Sequence, residues 1–344
     1  MPCRRELELE DAVADTTLSI TLAPMMRRAL VLAAACLVAA CSLFPTDYQG
    51  DGAPRQAAIK PLKSDRPLVA LALGSGGARG FAHVGVIKAL EEAGIAPDIV
   101  TGSSSGAVVA ALYASGRRAA ELEEIALAME KTDVVDLVLF GKGWVKGEAL
   151  QEFVNRLVGG KPIERLAKPF AVVATQAKSG RMTVFNRGDT GLAVRASASV
   201  PNLFVPPVIN GEEYLDGGIT NPVPVKLARA MGADVVIAVD VSWFAQAHNA
   251  PGAMAQYGRS GRYAILAEEL GAADIVIVPQ TTRGRMLDFD QKEANIAAGE
   301  AAGRAAVSQL REAIAQIASA KRSRGTLATD SAQPDATLRN ARGD

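Results

Sequence analysis

Five consecutive residues, Gly102-Ser103-Ser104-Ser105-Gly106, have the types and spacing for acyl chemistry. They follow an apolar run, Ile99-Val100, and lead into the small-residue run 107–112, which gives strand, abrupt turn and helix. A G-x-S-x-G pentapeptide in that setting reads as a nucleophile elbow with Ser104 at its apex. The apex serine must occupy a strained turn so that its Oγ projects from the strand end. Side chains two positions either side would collide there, which accounts for Gly102 and Gly106. The helix that follows points free N–H groups at the same place and favours developing negative charge. The plainer alternative is a serine-rich loop capping a helix; the flanking strand and helix favour the elbow.

A second glycine-rich stretch precedes it. The run 68–73 breaks into Gly74-Ser75-Gly76-Gly77-Ala78-Arg79-Gly80, and a helix follows with Phe81, Val84, Val86, Ile87 and Leu90 as its apolar positions. Backbone N–H groups of such a loop cradle an anion. Counted from Gly74, the sixth position is Arg79 and not the glycine of a dinucleotide fingerprint, and no Gly-Lys-Ser/Thr of a P-loop is present. An oxyanion hole is therefore favoured over nucleotide binding. Further on, Asp216-Gly217-Gly218 ends a short strand and leaves a carboxylate approachable. On its own it reads equally as an ordinary Asp-Gly turn.

The elements that must position these residues alternate. Predominantly apolar runs at 68–73, 170–175, 235–241 and 275–278 have the character of strands buried on both faces of a parallel sheet. Helical patterns fall between them, at 121–130, 148–158, 192–199 and 291–318, and 181–185 is a further strand expected to pair with a neighbour. This alternation implies an α/β domain with helices on both sheet faces. The segment 134–144, apolar and broken by Gly141 and Gly143, is expected to be a surface loop near the site. One domain over 67–319 accounts for the pattern, and the polar, aperiodic stretch 320–344 reads as a disordered tail.

The N-terminal part has a different character. Met26-Arg27-Arg28, the apolar block 29–40 and then Cys41 describe an export signal. Val38-Ala39-Ala40-Cys41 resembles a bacterial lipobox, whose cysteine is diacylated; the alternative is an ordinary signal peptide with an incidental cysteine. Ser42 after the cysteine points, by resemblance to Gram-negative lipoprotein sorting, to the outer membrane. Residues 1–24 are acidic where a signal is basic, so translation is expected to begin at Met25 or Met26, and 1–40 stand apart from the fold. Residues 41–66 read as a tether.

Three blocks in order, Gly76-Gly77-Ala78-Arg79-Gly80, Gly102-Ser103-Ser104-Ser105-Gly106 and Asp216-Gly217-Gly218, resemble the patatin-like phospholipases. The segment Ala196-Ser197-Ala198-Ser199-Val200-Pro201 resembles the family stretch between elbow and aspartate. The likeness covers 68–230, more weakly 274–289, and within the family is closest to the bacterial group related to neuropathy target esterase. One departure is Ser75, where the family loop begins with glycine. The resemblance implies a three-layer α/β/α sandwich with a mainly parallel sheet and a Ser-Asp dyad. Ser104 would attack a phospholipid or lysophospholipid ester, Asp216 would accept its proton, and loop 76–80 would form the oxyanion hole, with Arg79 either drawing a phosphate head group or bracing the loop. An acyl-enzyme would then be hydrolysed. No cofactor is implied.

Composition agrees with a dyad. The chain's 344 residues contain only two histidines, His83 and His248, and a Ser-acid-His order would leave only His248, in a polar stretch, after Asp216. His83 sits on the helix after the oxyanion loop and is read as a packing or bracing residue. An aspartate base then works from a reference pKa of about 3.9, with burial and a short hydrogen bond to raise its basicity. The three cysteines, Cys3, Cys36 and Cys41, leave the folded part without a thiolate ligand or nucleophile, and no metal site or calcium loop stands out. With 37 basic and 37 acidic residues, nothing points to nucleic acid. Two alternatives remain: acyl transfer to an acceptor other than water, and a non-catalytic lipid-binding lipoprotein.

Overall fold

In the computed structural model, residues 46–138, 143–242, 261–282 and 285–330 are described. Nine strands carry the architecture: β1 (Asp47–Tyr48), β2 (Val69–Leu73), β3 (Ile99–Ser103), β4 (Phe170–Gln176), β5 (Met182–Phe185), β6 (Val208–Ile209), β7 (Glu212–Leu215), β8 (Val235–Val239) and β9 (Ile275–Ile277). Their order is β1-β6-β7-β4-β3-β2-β8-β9, with β5 also paired to β4. The five central strands, β4, β3, β2, β8 and β9, run parallel, whereas β5 and β7 join β4 antiparallel. The fold is the mainly parallel α/β sandwich that the alternation of runs implied.

Side-chain alternation along the strands builds two cores. Val69, Leu71 and Leu73 face one side of β2, and Ala70 and Ala72 face the other. On the first side lie α1 (Ala82–Glu92), α2 (Ser105–Ala114), α3 (Ala119–Ala128), α4 (Glu148–Leu157), α5 (Thr190–Ser197) and α8 (Lys292–Asp330). On the second lie α6 (Val225–Ala230) and α7 (Gly261–Leu270), whose Val225, Leu227, Ala228 and Leu266 meet the small side chains of β2 and β8. Both faces of β2, β3 and β8 are therefore dry, which is why β2 and β8 read as unbroken apolar runs.

Two expected boundaries differ. Terminal helix α8 continues to Asp330, beyond the end near 319 read from the sequence. The tether is also shorter than expected, because from Asp47 the chain is laid against the domain. β1 pairs with β6, the Arg55 N–H donates to the Arg187 carbonyl at 3.0 Å, and the Leu62 N–H donates to Met231 at 2.8 Å. Asn186 clasps Ala57 through both its N–H and its carbonyl. The strap is held by backbone bonds at irregular intervals, so it left no apolar period to read. Cys41 and His248 lie outside the described residues.

Candidate active site

Parallel β3 ends at Ser103, and the chain reverses into α2 through Ser104, whose φ of 54° and ψ of −124° lie where L-residues rarely go. The flanking glycines make that turn possible. A Cβ on Gly106 would stand 2.2 Å from the Leu73 carbonyl oxygen, and one on Gly102 would stand 2.6 Å from Ala107 Cα. Strand and helix can approach this closely only without side chains at those two positions. The Ser104 N–H is not left bare in the turn: it donates to Ser197 Oγ at 2.9 Å.

The Ser104 Oγ donates to Asp216 Oδ2 at 2.5 Å. The aspartate is held on all sides. Its N–H donates to the Ser199 carbonyl at 2.8 Å, its carbonyl accepts from Thr175 Oγ1 at 2.9 Å, and its Oδ1 accepts from the Gly218 N–H at 2.8 Å. Asp216 is 3 % exposed and Ser104 7 %, so the pair is nearly dry. In a dry site a charge-assisted hydrogen bond is stronger than in water.

The glycine loop lies against this pair. The Gly76 N–H donates to Ser105 Oγ at 3.1 Å, which ties the loop to the first residue of α2. The Ala78 N–H donates to the Met286 carbonyl at 2.7 Å. Of the proposed hole's first three amides, Gly77, at φ +59°, is the one without an acceptor among the described residues. Gly80 lies against Ser105, where a Cβ would come within 2.7 Å. Arg79 is buried and its Nε donates to the Val241 carbonyl at 2.8 Å. Burial pulls its guanidinium below the usual value, and the Asp240 charge opposes that.

His83 is fully buried, and its Nε2 lies 2.8 Å from the Gly74 carbonyl, at the point where β2 turns into the loop. A carbonyl only accepts, so Nε2 carries the proton and Nδ1 stands without a partner. Burial pushes the imidazole pKa down to about 4. This histidine braces the loop and makes no hydrogen bond with Ser104 or Asp216.

Two cavities meet at Ser104. One is apolar, walled by Phe81, Val109, Val134, Leu150, Phe204 and Phe289. The other is mixed: Ser75, Arg79, Asp216 and Ser242 border it together with Pro201, Ile219 and Pro222. Ser104, Gly77, Val200 and Met286 border both. A chemically divided ligand, apolar at one end and polar at the other, would present the bond between its two parts to the Ser104 hydroxyl.

Sequence reasoning did not foresee Ser197, Ser199, Ser105 or Met286. The first two lie in the segment 196–201 already singled out, but nothing in their spacing revealed that they hold the elbow amide and the aspartate amide.

Residues 71–229 match the model of the patatin-like phospholipase family. An uncharacterized NTE family protein of Mycobacterium tuberculosis is 38 % identical over 192 residues, which is 55 % of this chain and 53 % of the relative. Human patatin-like phospholipase domain-containing protein 6 is 38 % identical over 182 residues, 50 % of this chain and 13 % of that protein. The chain thus spans about half the length of the mycobacterial relative it matches. Among solved structures, VipD from Legionella pneumophila superposes with a TM-score of 0.47 at 14 % identity, covering 74 % of this chain and 70 % of VipD.

Proposed function

We propose that this protein is a serine lipid acyl hydrolase that cleaves the carboxyl esters of phospholipids or lysophospholipids. The observation that carries this reading is the Ser104–Asp216 hydrogen bond at the junction of an apolar cavity and a mixed one that Ser75, Arg79 and Ser242 border. The acyl chain enters the apolar cavity and the head-group side lies in the mixed one. Ser104 Oγ attacks the ester carbonyl as its proton passes to Asp216 Oδ2. The Gly77 N–H and the N-terminal end of α2 face the charge that forms on the carbonyl oxygen. Asp216 returns the proton to the departing alcohol, then takes one from the water that attacks the acyl-enzyme. The Gly218 N–H holds the second carboxylate oxygen, so Oδ2 stays aimed at the serine throughout. Arg79 braces the loop from behind through Val241.

The same reading extends to placement. Cys41 is the acylated residue of an exported lipoprotein, held at the outer membrane of a Gram-negative cell; mass spectrometry of Cys41 tests this directly.

The test of activity uses the full chain: labelling with a serine-reactive fluorophosphonate, turnover of para-nitrophenyl butyrate, and a panel of phospholipids and lysophospholipids. Labelling and turnover that disappear with Ser104→Ala support the reading. A folded wild-type protein that neither labels nor turns over any member of the panel overturns it.

A further inference from the structure

Among the described residues, the two most exposed large apolar side chains are Leu137, at 79 %, and Trp144, at 68 %. Both stand where the segments 134–138 and 143–147 pair as the two arms of a hairpin, and those arms are firmly held. Leu137 and Val145 are bridged antiparallel, and the Val138 N–H donates to the Trp144 carbonyl at 2.8 Å. At its base, the Asp136 carboxylate accepts the N–H groups of Gly147, Glu148 and Ala149, which are the first amides of α4. On the inner side the amides of Trp144 and Val145 both donate to the Leu203 carbonyl at 2.9 Å, and Val145 is bridged to Phe204.

The hairpin's inner face belongs to the apolar cavity. Val134 at its start and Phe204, to which it is bridged, are cavity walls. Its outer face offers an indole and an isobutyl group to water. A frame of backbone bonds that keeps two such side chains out of the core calls for an external apolar phase. Two observations point to a lipid bilayer as that phase. The cavity behind the hairpin suits an acyl chain, which is delivered from a bilayer. An indole combines an apolar body with an N–H donor, the combination favoured at the boundary between hydrocarbon and head groups.

We propose that Leu137 and Trp144 form an insertion point that seats the mouth of the apolar cavity on a lipid bilayer. The ester's chain then passes from bilayer to cavity without crossing water. The proposal rests on the lipid-hydrolase reading for its purpose, but docking is measured without turnover.

The experiment uses the full chain carrying Trp243→Phe, which leaves Trp144 as the only tryptophan, and Ser104→Ala, which keeps the lipid intact. On phosphatidylcholine vesicles with brominated acyl chains, Trp144 emission is expected to shift to the blue and be quenched. Emission that keeps its water-exposed maximum and resists quenching while the protein sediments with the vesicles overturns the proposal. In the otherwise wild-type chain, Leu137→Ser with Trp144→Ser is expected to lower vesicle turnover by about tenfold or more. Fluorophosphonate labelling and soluble-ester turnover should stay within about twofold, since neither side chain lines the cavity. An equal loss on soluble and vesicle substrates overturns it, as does a wild-type dimer that the double substitution dissolves, because the patch would then be a contact between copies. A wild type inactive on every ester yet quenched by brominated lipid would sink the hydrolase reading and leave docking standing.

Discussion

The Ser104 hydroxyl and the Asp216 carboxylate are joined at 2.5 Å, while the aspartate's other oxygen is held by the Gly218 amide. A backbone amide thus fixes one oxygen of Asp216 while the other meets the serine. Ser104→Ala and Asp216→Asn are each expected to lower kcat by about a thousandfold or more, with KM little changed. Asparagine can still accept from Gly218 but cannot take the serine proton. Retained fluorophosphonate labelling in Asp216→Asn at the wild-type rate would show that the carboxylate is not the base.

His83 gives a pH prediction. Its folded pKa of about 4 lies below the ordinary 6.5 because the ring is buried, so the folded state binds its proton less readily than the unfolded chain. Its contribution to stability is full above pH 6.5 and is lost as pH falls from 6.5 towards 4, by about 3 kcal/mol at most. Urea unfolding at pH 7 and pH 4.5 should show that loss, and His83→Gln should reduce it. His83→Asn should keep ester turnover within about tenfold; a loss equal to that of Ser104→Ala would make His83 a member of the catalytic group.

Ser197 holds the elbow amide. Ser197→Ala leaves the buried Ser104 N–H without an acceptor, which costs about 1–3 kcal/mol. Because the elbow carries the nucleophile, kcat should fall with stability while KM for a short ester stays put. Thermal unfolding and steady-state kinetics on the same preparation check both.

If the apolar cavity receives the acyl chain as proposed, its depth sets chain length. Val109 lines it from the second turn of α2, and Val109→Trp would fill space that an acyl chain needs. Turnover of long-chain esters should fall by about tenfold or more relative to acetyl esters. An unchanged ratio across a chain-length series would place the acyl chain elsewhere.

What the sequence disclosed was local or periodic. The elbow was legible because steric crowding around Ser104 demands glycines at fixed offsets, and the sheet was legible because burial on both faces removes every polar residue from β2 and β8. Asp216 was ambiguous by itself; its meaning came from order relative to the other two blocks. What escaped was held together at long range by backbone atoms. Ser197 meets Ser104 across 93 residues of chain, Met286 meets Ala78 through a carbonyl that any residue would supply, and the strap from Asp47 to Leu62 is fixed by amides rather than by a patterned face. Backbone partners carry no residue signature, so no spacing could have announced them.

The strap also sets a reach. Read as a free tether from Cys41 to residue 66, the chain would let the domain wander about 85 Å from an anchored cysteine at about 3.4 Å per residue. With β1 fixed from Asp47, only six peptide links separate Cys41 from the folded body, a leash of about 20 Å. If Cys41 carries the proposed acyl anchor, a domain on so short a leash stays at the surface of the one leaflet that holds it, and the concentration of lipid it meets becomes a property of that leaflet's composition.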